Sequence, residues 1–333
     1  RQLQGCEVSA AAWERHVLPA RVEGYEPELL DRLCLSGEVM WGRLSPHPAF
    51  EGMEFDVEVA RPAVRRRRVR PTRVAPVTLF LRDDLEWLMP PADVPGDGRE
   101  AAGCVLSHPA EAVLDALRRR GASFLRELVT ETGRLASEVE DGLWELVAAG
   151  LVTADGFDNL RALIDPKRRR GEGRFRSARP RHAAGRWALL TPGPAAGVES
   201  DDDNRPQERT DAFARQLLER WGVVFRDLVR RESLMPPWRD VLGALRRMEV
   251  RGEVRGGRFV SGFVGEQFAR PDAVELLRIV RRDGDRERTV RVAAADPLNL
   301  AGIVTPGPRV SALSGEVVDL LRPAGALAGA AAS

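Results

Sequence analysis

The sequence predicts an α+β chain with tandem winged-helix modules and β-barrel or small-sheet elements. Three observations support this fold class. Apolar residues recur at helical spacing in residues 107–150 and 211–252, and glycines end these helices. Each helical block leads into short β-type runs, and the two blocks repeat at a nearly constant spacing. Such a duplicated pattern of helices and short strands is typical of repeated modules in an α+β protein.

Length, charge and motif content exclude several classes of protein. The 333 residues suffice for two or three domains, and no apolar run approaches the roughly 20 residues that span a bilayer. The net charge of +1 says little about partners. The sequence has no GxxxxGKS or GxxxxGKT phosphate loop, no GxSxG elbow and no HExxH motif. ATP hydrolysis by this chain alone is therefore not expected.

The first residues and the cysteines predict a cytoplasmic piece of a longer chain. The start, RQLQGCEVSA, has no Met and lacks the apolar core of a signal peptide. The cysteines and histidines are too few and too scattered for a disulfide framework or a metal site. They are Cys6, Cys34, Cys104, His16, His47, His108 and His182. We therefore expect no metal, no membrane partner and a reducing compartment.

Residues 1–104 are predicted to form a mixed helix and β segment. A helix should contain Trp13 and His16, and GYEPELLDRLCLSG should form a second helix with Gly37 at its C-cap. Three β-type runs follow, and the last carries an arginine run that leads into a strand at residues 77–81. The arginine run is either a charged strand edge or a phosphate-contacting strand. The sequence leaves both interpretations open.

Residues 105–165 are predicted to form the first winged-helix module. Two helices precede a third, which should start at Ser137 with Glu140 completing a capping box and end at Gly150. A short hairpin around Asp155 and Gly156 should follow. The third helix carries four carboxylates, which would repel DNA phosphates, so the sequence favours a structural role for this module.

Residues 210–270 repeat this plan and are predicted to form the second module. Gly121 and Phe124 correspond to Gly222 and Phe225 at an offset of 101 residues, since 222 minus 121 and 225 minus 124 are both 101. In the second half the offset is 102 residues, as 252 minus 150 shows, and it relates five pairs. These are Leu143 and Leu245, Leu146 and Met248, Gly150 and Gly252, Val152 and Val254, and Phe157 and Phe259. The stretch RRMEVRGEVRGGRFVSG is then the end of the third helix and its wing, split at Gly256 and Gly257.

The remaining segments have their own patterns. Residues 166–209 are a basic and then acidic linker with a short strand, RWALL. Residues 271–325 should form a helix that starts after Pro271, followed by a β-barrel element or small sheet. Residues 326–333 are expected to be a flexible tail.

Arginines of the second module and of the linker are the candidate nucleic-acid contacts, because guanidinium groups bind phosphate and guanine in a bidentate manner. They are Arg239, Arg246, Arg247, Arg255, Arg258, Arg168, Arg169, Arg170 and Arg174. The alternative is a solvated helix face, neutralised by Asp240, Glu249 and Glu253. On the residues alone, the two interpretations have equal weight.

Four stretches resemble the C-terminal portion of the bacterial long Lhr (large helicase-related) proteins: LPARVEGYEPELLDRLCLSGEVMWGRLS, EDGLWELVAAGLVTADGFDNLRALI, RHAAGRWALL and AADPLNLAGIVTPG. The resemblance covers nearly the whole chain. It implies an ATP-driven 3'-5' DNA helicase whose motor domains, with ATP and Mg²⁺, lie upstream of these residues. It also implies single-stranded DNA, or duplex DNA with a single-stranded tail, and the helicase core of the same chain as partners.

The stretch GRFVSGFVGEQFARP resembles AlkZ/YcaQ-type DNA glycosylases, which stack winged-helix modules on a β-barrel. Base excision needs a polar group that steadies the oxocarbenium ion or positions water. Asp296, with Asn299 nearby, is the candidate catalytic residue, and an Asp-Pro turn is its structural alternative. The Gln-x-Gln element of that group is matched only by Gln2-Leu3-Gln4.

Three functions follow from these patterns. The first is an accessory region of an Lhr-type helicase that binds DNA in DNA repair. The second is a monofunctional DNA glycosylase acting on uracil or an alkylated base. The third is a homo-oligomerisation module.

Overall fold

The structure is a computed structural model, and it describes residues 1–47, 72–89, 106–164, 185–190, 205–282, 289–305 and 307–321. The chain divides into two compact units. Unit 1 comprises Arg1–Leu3, Glu14–Glu23 and Ser200–Ser333, and unit 2 comprises Gln4–Trp13 and Gly24–Glu199. The mixture of helices and small sheets confirms the α+β class.

The N-terminal region contains short helices and a three-stranded antiparallel sheet. Helix α1 (Ala10–Ala12) continues through a π-helical turn (Trp13–Val17) into α2 (Leu18–Arg21). Two further helices are α3 (Pro27–Leu35) and α4 (Leu85–Leu88). The strands are β1 (Val8–Ser9), β2 (Val39–Gly42) and β3 (Pro76–Leu81), in the order β1-β3-β2. Trp13 and Phe80 are buried in this region. These large side chains provide a core for a segment that has few long apolar runs.

A three-helix module follows in unit 2. Its elements are α5 (His108–Arg120), α6 (Leu125–Thr132), α7 (Ala136–Ala148), β4 (Val152–Ala154), α8 (Phe157–Ile164) and β5 (Trp187–Leu189). Strand β4 pairs with β5, and Ser123 forms an isolated β-bridge with Trp187 of β5. The fully buried Trp41 of β2 packs edge-on against Phe157 and Trp187 and donates its indole N–H to the Gly156 carbonyl at 3.1 Å. The module and the N-terminal sheet therefore share apolar contacts.

Two predicted details of this module are wrong. Residues 157–164 form a helix, because Phe157, Leu160 and Ile164 recur at helical spacing and are all buried, and the strand partner of β4 comes from RWALL instead of from a tight hairpin. The third helix begins at Ala136 instead of Ser137, and its capping carboxylate is Glu138, which accepts from the Leu135 amide at 3.1 Å. Glu140 does not provide that cap.

Unit 1 contains the second module. Its elements are α9 (Arg205–Trp221), β6 (Val223–Val224), α10 (Arg226–Val229), α11 (Trp238–Val250), β7 (Arg255–Gly257) and β8 (Gln267–Ala269), and its strand order is β6-β8-β7. Leu217, Val241 and Met248 pack with Phe268 in its core. The paired glycines of the two modules, Gly121 with Gly222 and Gly150 with Gly252, all have positive φ angles between 69° and 77°. The helix-ending glycines of the predicted repeat therefore share a backbone conformation, whereas its last pair differs, because Phe157 opens a helix and Phe259 lies in a loop.

The predicted wing exists, but Gly256 and Gly257 do not form its turn. Both lie within β7, and the chain returns only after the loop at residues 258–266. A side chain at Gly256 would collide with the carboxylate of Glu249, and a Cβ at Gly257 would lie 3.1 Å from the Phe259 ring. The glycine pair therefore leaves room for the Glu249 carboxylate and the Phe259 ring, and it does not form the turn.

The C-terminal region is a helix and a two-stranded ribbon, which agrees with the small-sheet alternative of the prediction and not with the β-barrel element. The helix is α12 (Pro271–Arg282), which starts at the proline itself, one residue before the predicted start. The antiparallel strands are β9 (Thr289–Ala293) and β10 (Val317–Leu321). Among the described residues these strands have no third partner that could close a barrel. Leu300 and Val304, from the connection between them, instead pack against the cluster that contains Phe225 and Leu228.

Several predicted features lie outside the described residues. They are the arginine run at 65–68, the linker arginines and the tail at 326–333. No helix in the described part of the chain combines the length and apolarity needed to cross a bilayer.

Replacing Thr153 with Val tests the contact between β4 and the N-terminal sheet. The buried Thr153 hydroxyl donates to the Trp41 carbonyl at 2.6 Å, so Thr153→Val leaves that carbonyl without its donor. We expect the free energy of unfolding to fall by about 1–3 kcal/mol in urea unfolding experiments. Thr130→Val is the matched control, since it removes an exposed hydroxyl that bonds only to Arg126 of its own helix. Equal losses in both variants would contradict this contact's role.

Candidate nucleic-acid interface

Helix α11 presents its arginines by helical periodicity. Its buried residues are Val241, Ala244, Leu245 and Met248, which follow the i, i+3, i+4, i+7 pattern of a helix face that packs on a core. The opposite face carries Arg239 and Arg246, whose side chains are more than half exposed, while Arg247 lies at the edge of the buried face. The helix therefore holds three of the candidate arginines on or near its solvent side.

All three helix arginines have acidic neighbours. Arg246 makes a bidentate pair with Glu266 at 2.6 and 3.2 Å, and this hydrogen bonding raises the pKa of Arg246. Arg247 contacts Asp211 of α9 at 2.6 Å. Arg239 contacts the adjacent Asp240 at a longer 3.3 Å, with its side chain largely exposed. The alternative interpretation, in which carboxylates neutralise the arginines of this helix face, is therefore partly correct.

The expected acidic partners are only partly the observed ones. Asp240 pairs as predicted, whereas Glu266 and Asp211 have no counterpart in the sequence prediction. Glu253 is occupied by Arg251, whose hydrogen bond lowers the pKa of Glu253. Glu249 accepts a hydrogen bond from the Gly256 amide at 3.0 Å. Among the described residues, neither carboxylate forms an ion pair with an arginine of α11, although the charge of Glu249 adds to the raised pKa of Arg246.

The wing arginines differ from the helix arginines. Arg255 lies in β7 and Arg258 opens the loop that follows, and both are exposed. Within the described ranges, neither forms an ion pair with a carboxylate. A cation with no acidic neighbour can bind a phosphate without first giving up a partner. Of the five arginines predicted in this module, these two are the most available to an anion.

The corresponding helix of the first module uses its carboxylates internally. Glu145 accepts from the Ser107 amide at 2.7 Å and from the Ser107 hydroxyl at 2.6 Å, which caps the start of α5. Glu138 caps α7 itself. Two of the four acidic residues on this helix thus hold helix ends together.

The candidate catalytic residue Asp296 is buried against an arginine from the other end of the chain. Its carboxylate accepts from Arg21 Nε at 2.6 Å and from Arg21 Nη2 at 2.8 Å, and it also accepts from the Leu298 amide at 2.8 Å. Asn299 is buried as well, and its side chain bonds to Ala294 and Ala301 of the same connection. Both residues therefore stabilise the connection after β9. A catalytic role would require the Arg21 pair to open, and that role stays a prediction.

The two glutamines of the Gln-x-Gln element have different hydrogen-bond partners. In unit 1, the Gln2 side-chain oxygen accepts from Arg21 at 2.9 Å, so Gln2 and Asp296 share one guanidinium. In unit 2, Gln4 donates to Asp84 at 2.9 Å. Sequence reasoning missed Arg21, because nothing in the local pattern around it indicates a partner 275 residues away.

The linker candidates Arg168, Arg169, Arg170 and Arg174 lie outside the described residues. In the part of the chain that the structure describes, no group of three His, Cys, Asp or Glu side chains is arranged to hold a metal ion.

Comparison with known proteins identifies two domain matches. A family model described as "Large helicase-related protein, winged-helix domain" matches residues 203–289, and a second model with the same description matches residues 1–60. The second match falls in the segment predicted only as mixed helix and strand. Strands β1 and β2 lie in this matched range, whereas β3, which pairs with both, lies outside it at Pro76–Leu81. The predicted module at 105–165 lies outside both matched ranges.

Two curated relatives match most of the chain. One is the "Lhr helicase/uracil glycosylase" of Escherichia coli (strain K12), with 29% identity over 336 residues, which covers 92% of this chain and 19% of that protein. The other is the "Lhr helicase/ probable uracil glycosylase" of Mycolicibacterium smegmatis, with 30% identity over 326 residues, which covers 90% of this chain and 19% of that protein. The chain thus spans about a fifth of the length of the curated relatives it matches.

Removing Arg21 tests the role of the buried pair. In Arg21→Ala the Asp296 carboxylate stays buried without its cation, so we expect the free energy of unfolding to fall by about 3 kcal/mol, as measured by urea unfolding. The matched control is Arg270→Ala in the same unit, since the partner Asp272 is exposed and needs no cation. A loss in the control as large as in Arg21→Ala would show that the pair has no special structural role.

Proposed function

We propose, on the premise that this chain fits a C-terminal portion of a long large-helicase-related (Lhr) protein, that it is an accessory region that binds DNA in DNA repair. The contact surface is the wing of unit 1 together with the exposed face of α11. The partner is single-stranded DNA or duplex DNA with a single-stranded tail. Movement along DNA, with its ATP and Mg²⁺, belongs to a helicase core attached to this region.

The observation that supports the proposal is the pair of wing arginines that have no acidic partner among the described residues. Arg255 and Arg258 lie on a winged-helix domain of a helicase-related family, where a positive wing is suited to the DNA backbone. Each arginine that neutralises a phosphate releases condensed counterions, so affinity falls as salt rises. The interaction is therefore one of backbone contact, with little base specificity.

The helix arginines contribute less to this surface. Arg246 and Arg247 must leave Glu266 and Asp211 before they can bind phosphate. The free energy gained from the phosphate contact is therefore reduced by the cost of breaking these ion pairs. Arg239 is held only by its neighbour in the chain and is largely exposed, so it extends the surface along α11. The linker arginines at 168–170 and 174 provide a further phosphate track in the proposal.

The wing surface is tested by removing its two available cations. In Arg255→Ala/Arg258→Ala we expect weaker binding to single-stranded and tailed duplex DNA. The slope of log affinity against log salt should fall by about two, because two phosphate contacts are lost. Fluorescence anisotropy over a salt series measures both quantities. In Arg246→Ala/Arg247→Ala the loss should be smaller.

A matched control is available in the same unit. Arg278→Ala/Arg282→Ala removes two exposed arginines of α12 that both contact Glu275, and it should leave affinity and salt slope unchanged. If the wing variant keeps the affinity and slope of the unaltered protein, this surface is not the DNA contact.

A second candidate function is a DNA glycosylase, and the names of both relatives favour it. Excision would act on uracil or an alkylated base that has left the duplex stack. Within this proposal Asp296 provides the carboxylate near the sugar, and Asn299 orients the connection that carries it. Arg21 must move away from Asp296 when the flipped nucleotide enters, because both carboxylate oxygens are otherwise engaged.

An excision assay tests this second function. The protein is incubated with oligonucleotides that contain uracil or an alkylated base, and abasic sites are then cleaved with alkali. We expect strand scission above that of a heat-killed control, and its loss in Asp296→Asn. A far-ultraviolet circular dichroism spectrum confirms that the variant is folded. Absence of scission with the unaltered protein excludes the activity, and full scission by folded Asp296→Asn excludes only the assigned residue.

A further inference from the structure

The side chain of Gln267 makes three hydrogen bonds inside the wing. It opens β8 and is 1% exposed. Its amide oxygen accepts from the Phe259 and Val260 amides, both at 2.8 Å, and its amide nitrogen donates to the Val260 carbonyl at 2.8 Å. The buried side chain of Gln267 therefore binds the backbone at the start of the loop at residues 258–266.

These contacts replace a missing part of the strand ladder. β7 ends at Gly257 and β8 begins at Gln267, so the ladder covers only three residue pairs and the loop backbone lies beyond it. The Phe259 and Val260 groups would need other partners if the glutamine were absent. The conformation at the start of this loop is thus fixed by one side chain.

Apolar contacts hold the same loop from another direction. Phe259, Val260 and Phe263 pack against the buried cluster that contains Phe225, and the ring centroids of Phe225 and Phe263 are 4.6 Å apart. Arg258 precedes the two residues that Gln267 binds, and its side chain is exposed. The loop is therefore anchored at its base while its basic side chain faces solvent.

We propose that Gln267 is a positioning residue that presets the wing loop, so that Arg258 occupies its DNA-binding place before DNA arrives. This inference rests on the proposed DNA-binding function. Ordering a loop costs conformational entropy, and a loop that is ordered on folding does not have to be ordered again on binding. The loop then contributes to affinity through rigidity as well as through charge.

A double-mutant cycle tests the inference. Gln267→Met keeps the length of the side chain and removes all three hydrogen bonds. We expect about tenfold weaker DNA binding from Arg258→Ala in the unaltered background, which corresponds to one charge-assisted hydrogen bond. In the Gln267→Met background the same substitution should cost less than about twofold, because a mobile loop no longer places the guanidinium. Hydrogen exchange at the Phe259 and Val260 amides should be faster in Gln267→Met.

The control is Gln216→Met, which removes a buried glutamine of α9 in the same unit whose amide contacts the Arg1 carbonyl. It should leave the cost of Arg258→Ala unchanged. If Gln267→Met fails to fold, Gln267→Asn decides the question. Asn keeps the polarity of the amide and is one methylene shorter, so it weakens the three hydrogen bonds and should reduce the cost of Arg258→Ala. An undiminished cost in that background overturns the inference.

The possible outcomes separate the two proposals. If Arg258→Ala weakens binding equally in both backgrounds, Gln267 is a structural residue only and the inference is overturned, while the DNA-binding function stands. If neither the unaltered protein nor its variants bind DNA in a salt-dependent way, the proposed function itself is overturned. Hydrogen exchange then still reports whether Gln267 orders the loop.

Discussion

The wing of unit 1 depends on one constraint: its strands pair over only three residues, so side chains must complete what the ladder leaves open. Glu249 binds the amide of Gly256 on β7, and Gln267 binds the loop backbone beyond it. Two glycines in β7 leave room for the Glu249 carboxylate and for the Phe259 ring. A short hairpin is marginal by itself, and here buried polar contacts and apolar anchors make it a defined surface. The exposed position of the wing arginines follows from this arrangement.

Charge on this surface is divided by tertiary contacts. Acidic residues from α9 and from the wing loop hold Arg247 and Arg246, whereas Arg255 and Arg258 have no acidic partner among the described residues. Arginines of similar appearance in the sequence therefore have different capacities for binding phosphate. A net charge of +1 for the whole chain conceals this local asymmetry. Binding of phosphate therefore depends on which arginines already form ion pairs, and less on how many arginines are present.

The buried pair of Arg21 and Asp296 joins the second helix to the connection after β9, and Gln2 contacts the same guanidinium. Removing a carboxylate from water requires a compensating cation and hydrogen bonds, and the fork of Arg21 supplies both. Asp296 was selected from the sequence as a turn residue or a catalytic carboxylate. Its bond to the Leu298 amide fits the turn, and the turn chemistry was therefore accessible from the Asp-Pro pattern. The arginine was not accessible, because its partner lies 275 residues away.

Local periodicity and backbone conformation are enough to predict the α+β class, the helices that end at glycines with positive φ angles, and a helix next to Pro271. The helix at residues 157–164 follows the helical spacing of Phe157, Leu160 and Ile164, and a local pattern could have predicted it. Tertiary contacts alone set the strand partners and the turn: RWALL pairs with β4, the wing turn lies beyond the glycine pair, and β9 and β10 form an open ribbon. The tertiary structure also decided which arginines are neutralised. Ion pairs and strand partners join residues that are distant in the chain, and a local pattern of amino acids contains no information on which distant groups will meet.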